Sequence, residues 1–576
     1  MKIEKIVLLY KKSGEMSDLD NYRGIFLRYL ILSLMQKWMY KQCSPTVDIN
    51  GTEYAFGGRL KRSVKELLLV VKLVQDHANW TKRPLVLKFL DIRKFFDTMN
   101  FKTALIEIYK SGVKGKHWRI YKKINEMKKC TPYTPLGDCG EIDVNEVFVQ
   151  GSSDAMLMAW NLVDSINKRT GESTTFDPIC YVEGVKIPRC GFVDDLLELA
   201  RGIVETQISC ITDEIFQKQH CLLFKPSKCK IIMHNLDGIG DNGGPIILIN
   251  GEELEIVEAH KYLGTIVERK GRAEDLQTRM SECKGVLNEI VELSKTDAVG
   301  MFRFNYMFTL LNSCFMLKFK HGCEMWGDFT KKNVLDIDRL IPQTIKRVLE
   351  LPRSTPTNAI KHDFGLVNLT SEVDLEKILL ASNVMEMNKE RIARKLLFAM
   401  VEKEVPGFCT QLQKILNKYS ICLEDLAGVN NKREMLKGLI LNFEKRLLHQ
   451  SMLMSSKTDN MLAYFGFTGD MLDYLKELPF LEGRIVFMFR SRMFPTRVNY
   501  PERWSSSRAC SYCSLLDTDE HLFSCLGYMD LTNGIDYGMF HRLDVSMKRL
   551  SEGAQVLLNV YKRLSAVQDD IDMLPK

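Results

Sequence analysis

The sequence predicts an α+β protein built from several domains. Three observations carry this. Apolar runs bounded by turn residues recur before residue 270 and read as strands. From Leu276 to about Leu478 the apolar period becomes helical. A short Cys/His cluster inside a basic, aromatic stretch follows. At 576 residues the chain exceeds one hydrophobic core and suggests roughly three or four domains. Hydrophobic content of 45% and charged content of 27% are those of a globular protein, and a net charge of +7 permits a polyanionic partner without demanding one. Sixteen cysteines lack the dense spacing of a secreted disulfide scaffold and no signal-peptide pattern opens the chain, so a reducing, intracellular compartment (nucleus or cytoplasm) is expected. The longest apolar stretch, around Ile25–Met35, carries Arg28 and is too short to span a bilayer, so no membrane partner is expected.

Taken in order, Ile6-Val7-Leu8-Leu9-Tyr10 reads as a strand, Lys11-Lys12-Ser13-Gly14 as a turn, and Asn21-Tyr22-Arg23-Gly24-Ile25 as the returning strand. A hairpin carrying Lys11, Lys12 and Arg23 suits a triphosphate; a solvated basic turn is the alternative. Phe26–Tyr40 is a helix candidate, Phe56-Gly57-Gly58-Arg59 a turn, and Ser63–Asn79 an amphipathic helix. Leu85–Asp91 is a strong strand ending in an aspartate, at the end of a strand where functional groups gather in α/β sheets; a helix cap is the other use of such a residue. Residues 102–129 read as helical, 146–151 as a strand ending at Gln150-Gly151, 153–167 as a helix, and 204–219 as another. Lys225-Pro226-Ser227-Lys228 precedes a strand, and His260–Val267 is a strand broken at Gly264.

Cys190–Leu199, reading CGFVDDLLEL, is the stretch around which these elements are organised. Apolar runs on either side of Asp194-Asp195 predict a tight hairpin with the two aspartates at its tip. Adjacent carboxylates repel unless a cation neutralises them, and carboxylate oxygens are the ligands that Mg²⁺ takes. A polar turn is the plain alternative. Near the C-terminus, Cys510-x2-Cys513-x7-His521-x3-Cys525 offers four soft ligands at zinc spacing, without a spare position, which implies a structural ion. Upstream, Arg484, Arg490, Arg492, Arg497, Arg503 and Arg508 interleave with Phe487, Phe489, Phe494, Tyr500 and Trp504. Arginine for phosphate and rings for stacking suit single-stranded nucleic acid; a zinc-stapled domain with a solvated basic face is the alternative.

Six of these motifs in this order resemble the fingers and palm of a reverse transcriptase, in detail the non-LTR, LINE-type retrotransposon enzymes. Asn21-Tyr22-Arg23-Gly24-Ile25 resembles their first fingers motif and Phe89–Asp97 their first catalytic motif. Gln150-Gly151 resembles the second palm motif, and Phe192-Val193-Asp194-Asp195 the catalytic hairpin. Lys225-Pro226-Ser227-Lys228 and Lys261-Tyr262-Leu263-Gly264 resemble the two that follow. The resemblance is strong over Ile6–Gly271 and weaker through Glu324-Met325-Trp326, Pro352–Pro356 and Phe364-Gly365-Leu366. It implies a right-hand polymerase with fingers at 1–84, a palm with finger insertions at 85–275 and a thumb at 276–330. A helical C-terminal region at 331–482, a basic, aromatic segment with a CCHC zinc knuckle at 483–530 and a tail at 531–576 would follow.

By the same resemblance, the reaction is RNA-directed DNA synthesis from deoxynucleotides on a primer 3′-hydroxyl, with template RNA and a DNA primer or target DNA as partners. Two Mg²⁺ ions would be bridged by Asp91 and Asp194 and supported by Asp195. Lys11 or Lys12 with Arg23 would face the triphosphate, Lys228 would donate a proton to pyrophosphate unless it is simply solvated, and Gln150 and Gly151 would line the substrate site. Phe96, five residues after Asp91, would exclude a 2′-hydroxyl, which disfavours a viral RNA polymerase; ordinary core packing is its other use. Three departures stand out. Ala155 and Met156 replace the family's Ser-Pro pair, Lys225 replaces an Asn, and Gly57-Gly58-Arg59 stands for a Gly-Phe-Arg element. They make a degenerate relative that binds RNA without copying it the alternative. No endonuclease module is expected in this stretch.

Overall fold

The computed structural model describes the chain outside residues 1–2, 12–13, 28, 126–127, 135–136, 145–152, 171–179, 237–244, 270–272, 296–303, 456–457, 463–465, 501–506, 543 and 573–576. The fold is mixed α+β, as the sequence predicts. It divides into two compact units, Met1–Asp275 with Met325–Gly327 and Leu380–Lys414, and Leu276–Glu324 with Asp328–Leu379 and Ile415–Lys576. Of the expected helical C-terminal region 331–482, the stretch Leu380–Lys414 falls in the first unit.

The first unit opens with an antiparallel hairpin of β1 (Ile3–Tyr10) and β2 (Tyr22–Leu27), Leu9 facing Arg23. Helix α1 (Leu30–Ile49) starts later and runs further than the pattern predicts, because Phe26 belongs to β2. Helix α2 (Val64–Thr81) begins where Ser63 caps it, its side chain accepting the Glu66 N–H at 3.2 Å. Strand β3 spans Leu85–Asp91, as predicted, and the short helix α3 (Phe95–Thr98) follows. The single helix expected over 102–129 is instead α4 (Phe101–Lys110), α5 (Gly115–Asn125) and the start of strand β4 (Lys128–Thr134). Gly112 at φ +93° and Gly115 at φ +59° take left-handed backbone that breaks the helix. Strand β4 runs parallel to β1 and carries β5 (Gly137–Asp138) and β6 (Ile142–Val144).

Helix α6 (Ser153–Thr170) leads to the small hairpin β7 (Cys180–Val182) and β8 (Val185–Ile187), then to β9 (Arg189–Phe192), β10 (Asp195–Ala200) and α7 (Ile203–His220). Strands β11 (Lys230–His234), β12 (Leu248–Ile249), β13 (Glu252–Glu253) and β14 (Glu255–Ile256) come next, then the hairpin β15 (Ala259–Tyr262) and β16 (Thr265–Glu268). The main sheet has the order β14-β11-β3-β10-β9, with β3 central and antiparallel to both neighbours.

Side chains alternate across a strand. On one face Val86, Leu90, Leu196 and Ile231 join Leu157 and Val163 of α6 and Cys210 and Phe216 of α7 in a single buried core. Each such side chain contributes about 1.5–3 kcal/mol on burial. Leu380–Lys414 belongs to this unit through α2. Arg391 donates from Nε to buried Glu66 at 2.9 Å, and Asp76 accepts the Phe408 N–H at 2.9 Å.

The second unit is helical. Its core includes Phe304, Phe364 and Phe487, with Phe364 edge-on to both others at 5.6 Å. Among the described residues no helix is long and apolar enough to cross a membrane.

Candidate active site and metal cluster

Register brings the predicted carboxylates together. Asp195 is the cross-strand partner of Asp91, so both stand on one face at the end of β3. The hairpin differs from its predicted form by one residue. Phe192 pairs with Asp195, so Val193 and Asp194 form the turn and Asp195 opens β10. The reason lies in the backbone. Val193 sits at φ +63°, a left-handed conformation that costs a β-branched residue on the order of 1–3 kcal/mol and holds Asp194 at the tip.

Like charges directly opposite on a sheet repel. Asp195 is exposed and Asp194 half-buried by surface area. Both carboxyls nonetheless stand in dense surroundings that weaken their solvation. Burial first, then Asp194 and Asp91, push Asp195 up to about 6; burial and Asp91 also raise Asp194. Two cations counter this. Lys228 Nζ lies 3.4 Å from Asp91 Oδ2 and draws both hairpin carboxyls down, and Arg23 draws Asp194 down. Three carboxylates converging from the end of β3, the hairpin turn and the start of β10 form a donor set that fits divalent cations taking oxygen ligands.

The other predicted residues are placed as follows. Lys11 is exposed beyond the end of β1, its backbone N–H donating to Asn21 O at 2.8 Å to close the hairpin. Phe96 is half-buried against the core, edge-on to Phe95 with centroids 5.5 Å apart. Lys12, Gln150 and Gly151 lie outside the described residues. Of the residues in the altered motif, Ala155 is buried and Met156 exposed on α6.

Several contacts escape sequence reading. The Tyr262 hydroxyl donates to Asp195 O at 3.4 Å, from the end of β15, just before a two-residue turn in which Leu263 (φ +48°) and Gly264 (φ +80°) are both left-handed. Beneath the carboxylates, on the opposite face, Arg189, Glu198 and Lys88 occupy one row across three strands. Lys88 Nζ reaches Asp213 Oδ2 of α7 at 2.7 Å and also pairs with Glu198, while Arg189 pairs with both acids. All four are buried. The signal was present in the lone lysine inside the apolar run LVLKFLD, which alternation turns inward.

In the second unit the predicted cysteines and histidine meet. The ligand atoms of Cys510, Cys513, His521 and Cys525 all lie within 4.8 Å of one another. The Sγ atoms of Cys510 and Cys513 stand 3.6 and 3.7 Å from that of Cys525, and Cys513 Sγ is 3.1 Å from His521 Nε2. Ligands about 2.3 Å from a tetrahedral ion stand about 3.8 Å apart, so the cluster fits a metal.

The arginine and aromatic stretch, expected to be a nucleic-acid surface, is in large part interior. Phe487, Phe489 and Phe494 are buried. Arg490 is buried and paired with Asp363 at 2.8 Å, and Arg484 pairs with Glu350 at 3.3 Å. Helix Phe480–Arg490 buries every residue from Ile485 to Arg490, as a helix that is apolar nearly all round does, so Phe487, Phe489 and Arg490 are interior. Arg503 and Trp504 lie outside the described residues.

No protein-family model matches the sequence, and no curated protein matches it. Similar solved structures include three of telomerase, from two Candida species. Apo telomerase from Candida tropicalis, truncated from its C-terminal domain, is 14% identical with a TM-score of 0.31, over 46% of this chain and 53% of that one. The telomerase of Candida tropicalis in complex with a TWJ fragment of telomeric RNA is 14% identical with a TM-score of 0.34, over 76% and 64%. That of Candida albicans in the corresponding complex is 9% identical with a TM-score of 0.35, over 75% and 65%. The chain thus spans between half and two thirds of the length of these telomerases.

Proposed function

We propose that this chain is an RNA-directed DNA polymerase of the non-LTR, LINE-type class, adding deoxynucleotides to a primer 3′-hydroxyl. The observation that carries the reading is the pairing of Asp91 with Asp195, beside Asp194 on a strained turn, with Arg23 and Lys228 as the facing cations. The motif order in the sequence supports it.

In this reading the sheet β14-β11-β3-β10-β9 is the palm and the β1–β2 hairpin belongs to the fingers. When bound, two Mg²⁺ ions would stabilise the attacking and leaving oxygens of an in-line displacement. Asp91 and Asp194 would hold them, with Asp195 in support. Arg23 and Lys11 orient the triphosphate by charge, and Arg23 offsets the negative charge that develops on it. Lys228, poised against Asp91, moves a proton to the departing pyrophosphate. Primer extension on an RNA template with Mg²⁺ tests the reading. No extension by a chain that still binds RNA would leave a binding protein of the same fold, the reading that Ala155 and Met156 favour.

Phe96 is the residue expected to select the sugar. Phe96→Val should raise ribonucleotide incorporation at least tenfold relative to deoxynucleotide in a competition on one primer. Unchanged discrimination would leave Phe96 a packing residue of the Phe95–Phe96 pair.

The Cys510, Cys513, His521 and Cys525 cluster is read as a structural zinc site. Cys510→Ser replaces a thiolate by a weak ligand and should lower zinc from one per chain to none, by elemental analysis of the purified protein. Extension at saturating primer–template should persist, since the carboxylates belong to the other compact unit. Full zinc occupancy in the mutant would remove Cys510 from the site.

A further inference from the structure

Gly57-Gly58-Arg59 departs from the motif it resembles, and its surroundings give it a use that the polymerase reading leaves unassigned. Residues 54–57 meet β9 at a single parallel bridge. Phe56 N–H donates to Gly191 O at 2.8 Å, Gly191 N–H donates to Tyr54 O at 3.0 Å, and Ala55 bridges Gly191 in parallel. The segment is held from behind by Arg59, which is buried. Arg59 donates from Nε to Asp48 Oδ1 at 2.6 Å, from Nη2 to Asp48 O at 2.9 Å and from Nη1 to Ala55 O at 3.3 Å, and it lies 5.0 Å over the Trp160 ring. Gly57 is buried against the hairpin turn. A Cβ there would stand 2.5 Å from Val193 N, 2.7 Å from Phe192 C and 2.7 Å from Val193 Cγ2. Two of those atoms are backbone of the turn and cannot swing aside as a side-chain tip would.

We propose that Gly57 is a positioning residue for Asp194. The proposal rests on the polymerase reading for its catalytic consequence, and on geometry alone for its effect on the turn. Without a side chain, Gly57 lets the 54–57 segment close on the edge of β9 and wall in the left-handed Val193, so Asp194 keeps one position beside the Asp91–Asp195 pair. Any side chain at 57 pushes the turn outward, away from the register that brings Asp195 and Asp91 together. A misplacement of about 1 Å at a reacting centre costs on the order of 10²-fold.

The test is a double-mutant cycle of Gly57→Ala and Val193→Gly. Val193→Gly removes the Cγ2 contact and frees the turn backbone, so the two changes couple if Gly57 acts through the turn. Gly57→Ala should lower kcat for primer extension about 100-fold while KM for primer–template stays within threefold. The double mutant should recover at least tenfold over Gly57→Ala alone. Mn²⁺ affinity, read by electron paramagnetic resonance, should fall in Gly57→Ala and recover in the double mutant; thermal melts check that each variant folds.

Parental kcat in Gly57→Ala, or equal losses in the single and double mutants, overturns the proposal. If the parent binds Mn²⁺ but does not extend primers, the polymerase reading fails, and Mn²⁺ affinity alone decides for or against Gly57. A parent that neither extends nor binds Mn²⁺ removes the role of Asp194, and that of Gly57 with it.

Discussion

Asp194→Asn and Asp91→Asn should each lower primer extension by about 10³–10⁴-fold, because they remove several kcal/mol of transition-state charge stabilisation at a metal clamp. Their effect on stability should have the opposite sign. Asp194 and Asp195 stand in surroundings that disfavour charge and are repelled by Asp91, with Asp195 pushed up to about 6 by burial first and its two neighbours next. A neutral amide of the same shape relieves that repulsion. Without added metal, then, Tm should stay level or rise in the mutants, while in the parent Mg²⁺ should raise Tm by binding the folded state. The mutants should lose that Mg²⁺-dependent rise together with activity. Extension rates and melting curves at several Mg²⁺ concentrations check both halves. A mutant that extends at the parental rate removes the metal role. One that loses activity and Tm together, without metal, makes the aspartate a structural residue instead.

The parts of this site that were legible from sequence are those fixed by local spacing. Asp91 ends a strand whose bounds the apolar run Leu85–Leu90 sets, and the Cys510, Cys513, His521 and Cys525 spacing encodes a cluster that closes over sixteen residues. What the sequence did not show depends on partners far along the chain. Lys88 looks out of place in its strand until Asp213, 125 residues later, supplies the carboxylate. Nothing local says that Gly57 meets Val193, since the contact is made by register and loop closure. Arginines alternating with rings suggest a surface, although in helix Phe480–Arg490 the rings at 487 and 489 and the arginine at 490 are all buried. An arginine flanked by aromatics is as much a sign of a buried ion pair as of a nucleic-acid contact, and only its acid partner, here Asp363, separates the two. The one-residue displacement of the hairpin turn has a local cause that composition hides. Two aspartates look like turn residues, whereas register needs the second in the strand opposite Asp91.

Asp363→Asn should destabilise the second unit by about 3–5 kcal/mol, the cost of leaving a buried charge unpaired. Asp363 is fully buried. Its Oδ2 accepts from Arg490 Nε at 2.8 Å and from the Tyr474 hydroxyl at 2.7 Å; its Oδ1 lies 3.3 Å from Arg490 Nη2 and 2.7 Å from His362 Nδ1. The Arg490 guanidinium and the His362 ring hold the Asp363 carboxyl well below the usual carboxylate range against the opposing effect of burial. Arg490 in turn donates from Nη1 to the carbonyls of Phe540 at 2.8 Å and His541 at 3.0 Å. One ion pair thus fastens the end of the 357–363 helix, Tyr474, the 480–490 helix and the 537–540 turn. An asparagine keeps the shape and some hydrogen bonds but leaves the guanidinium without a counter-charge in a site that water does not reach. At about 2–4 °C per kcal/mol for a unit of this size, the corresponding calorimetric transition should fall by roughly 6–20 °C. Arg490→Met should cost a similar amount by orphaning the carboxylate. The double mutant Asp363→Asn/Arg490→Met should cost less than the sum, because an interior without either charge has no unpaired ion left to solvate. Additive losses would mean that the two residues act separately. A shift below 1 kcal/mol in Asp363→Asn would mean that the pair contributes geometry to the unit but little stability.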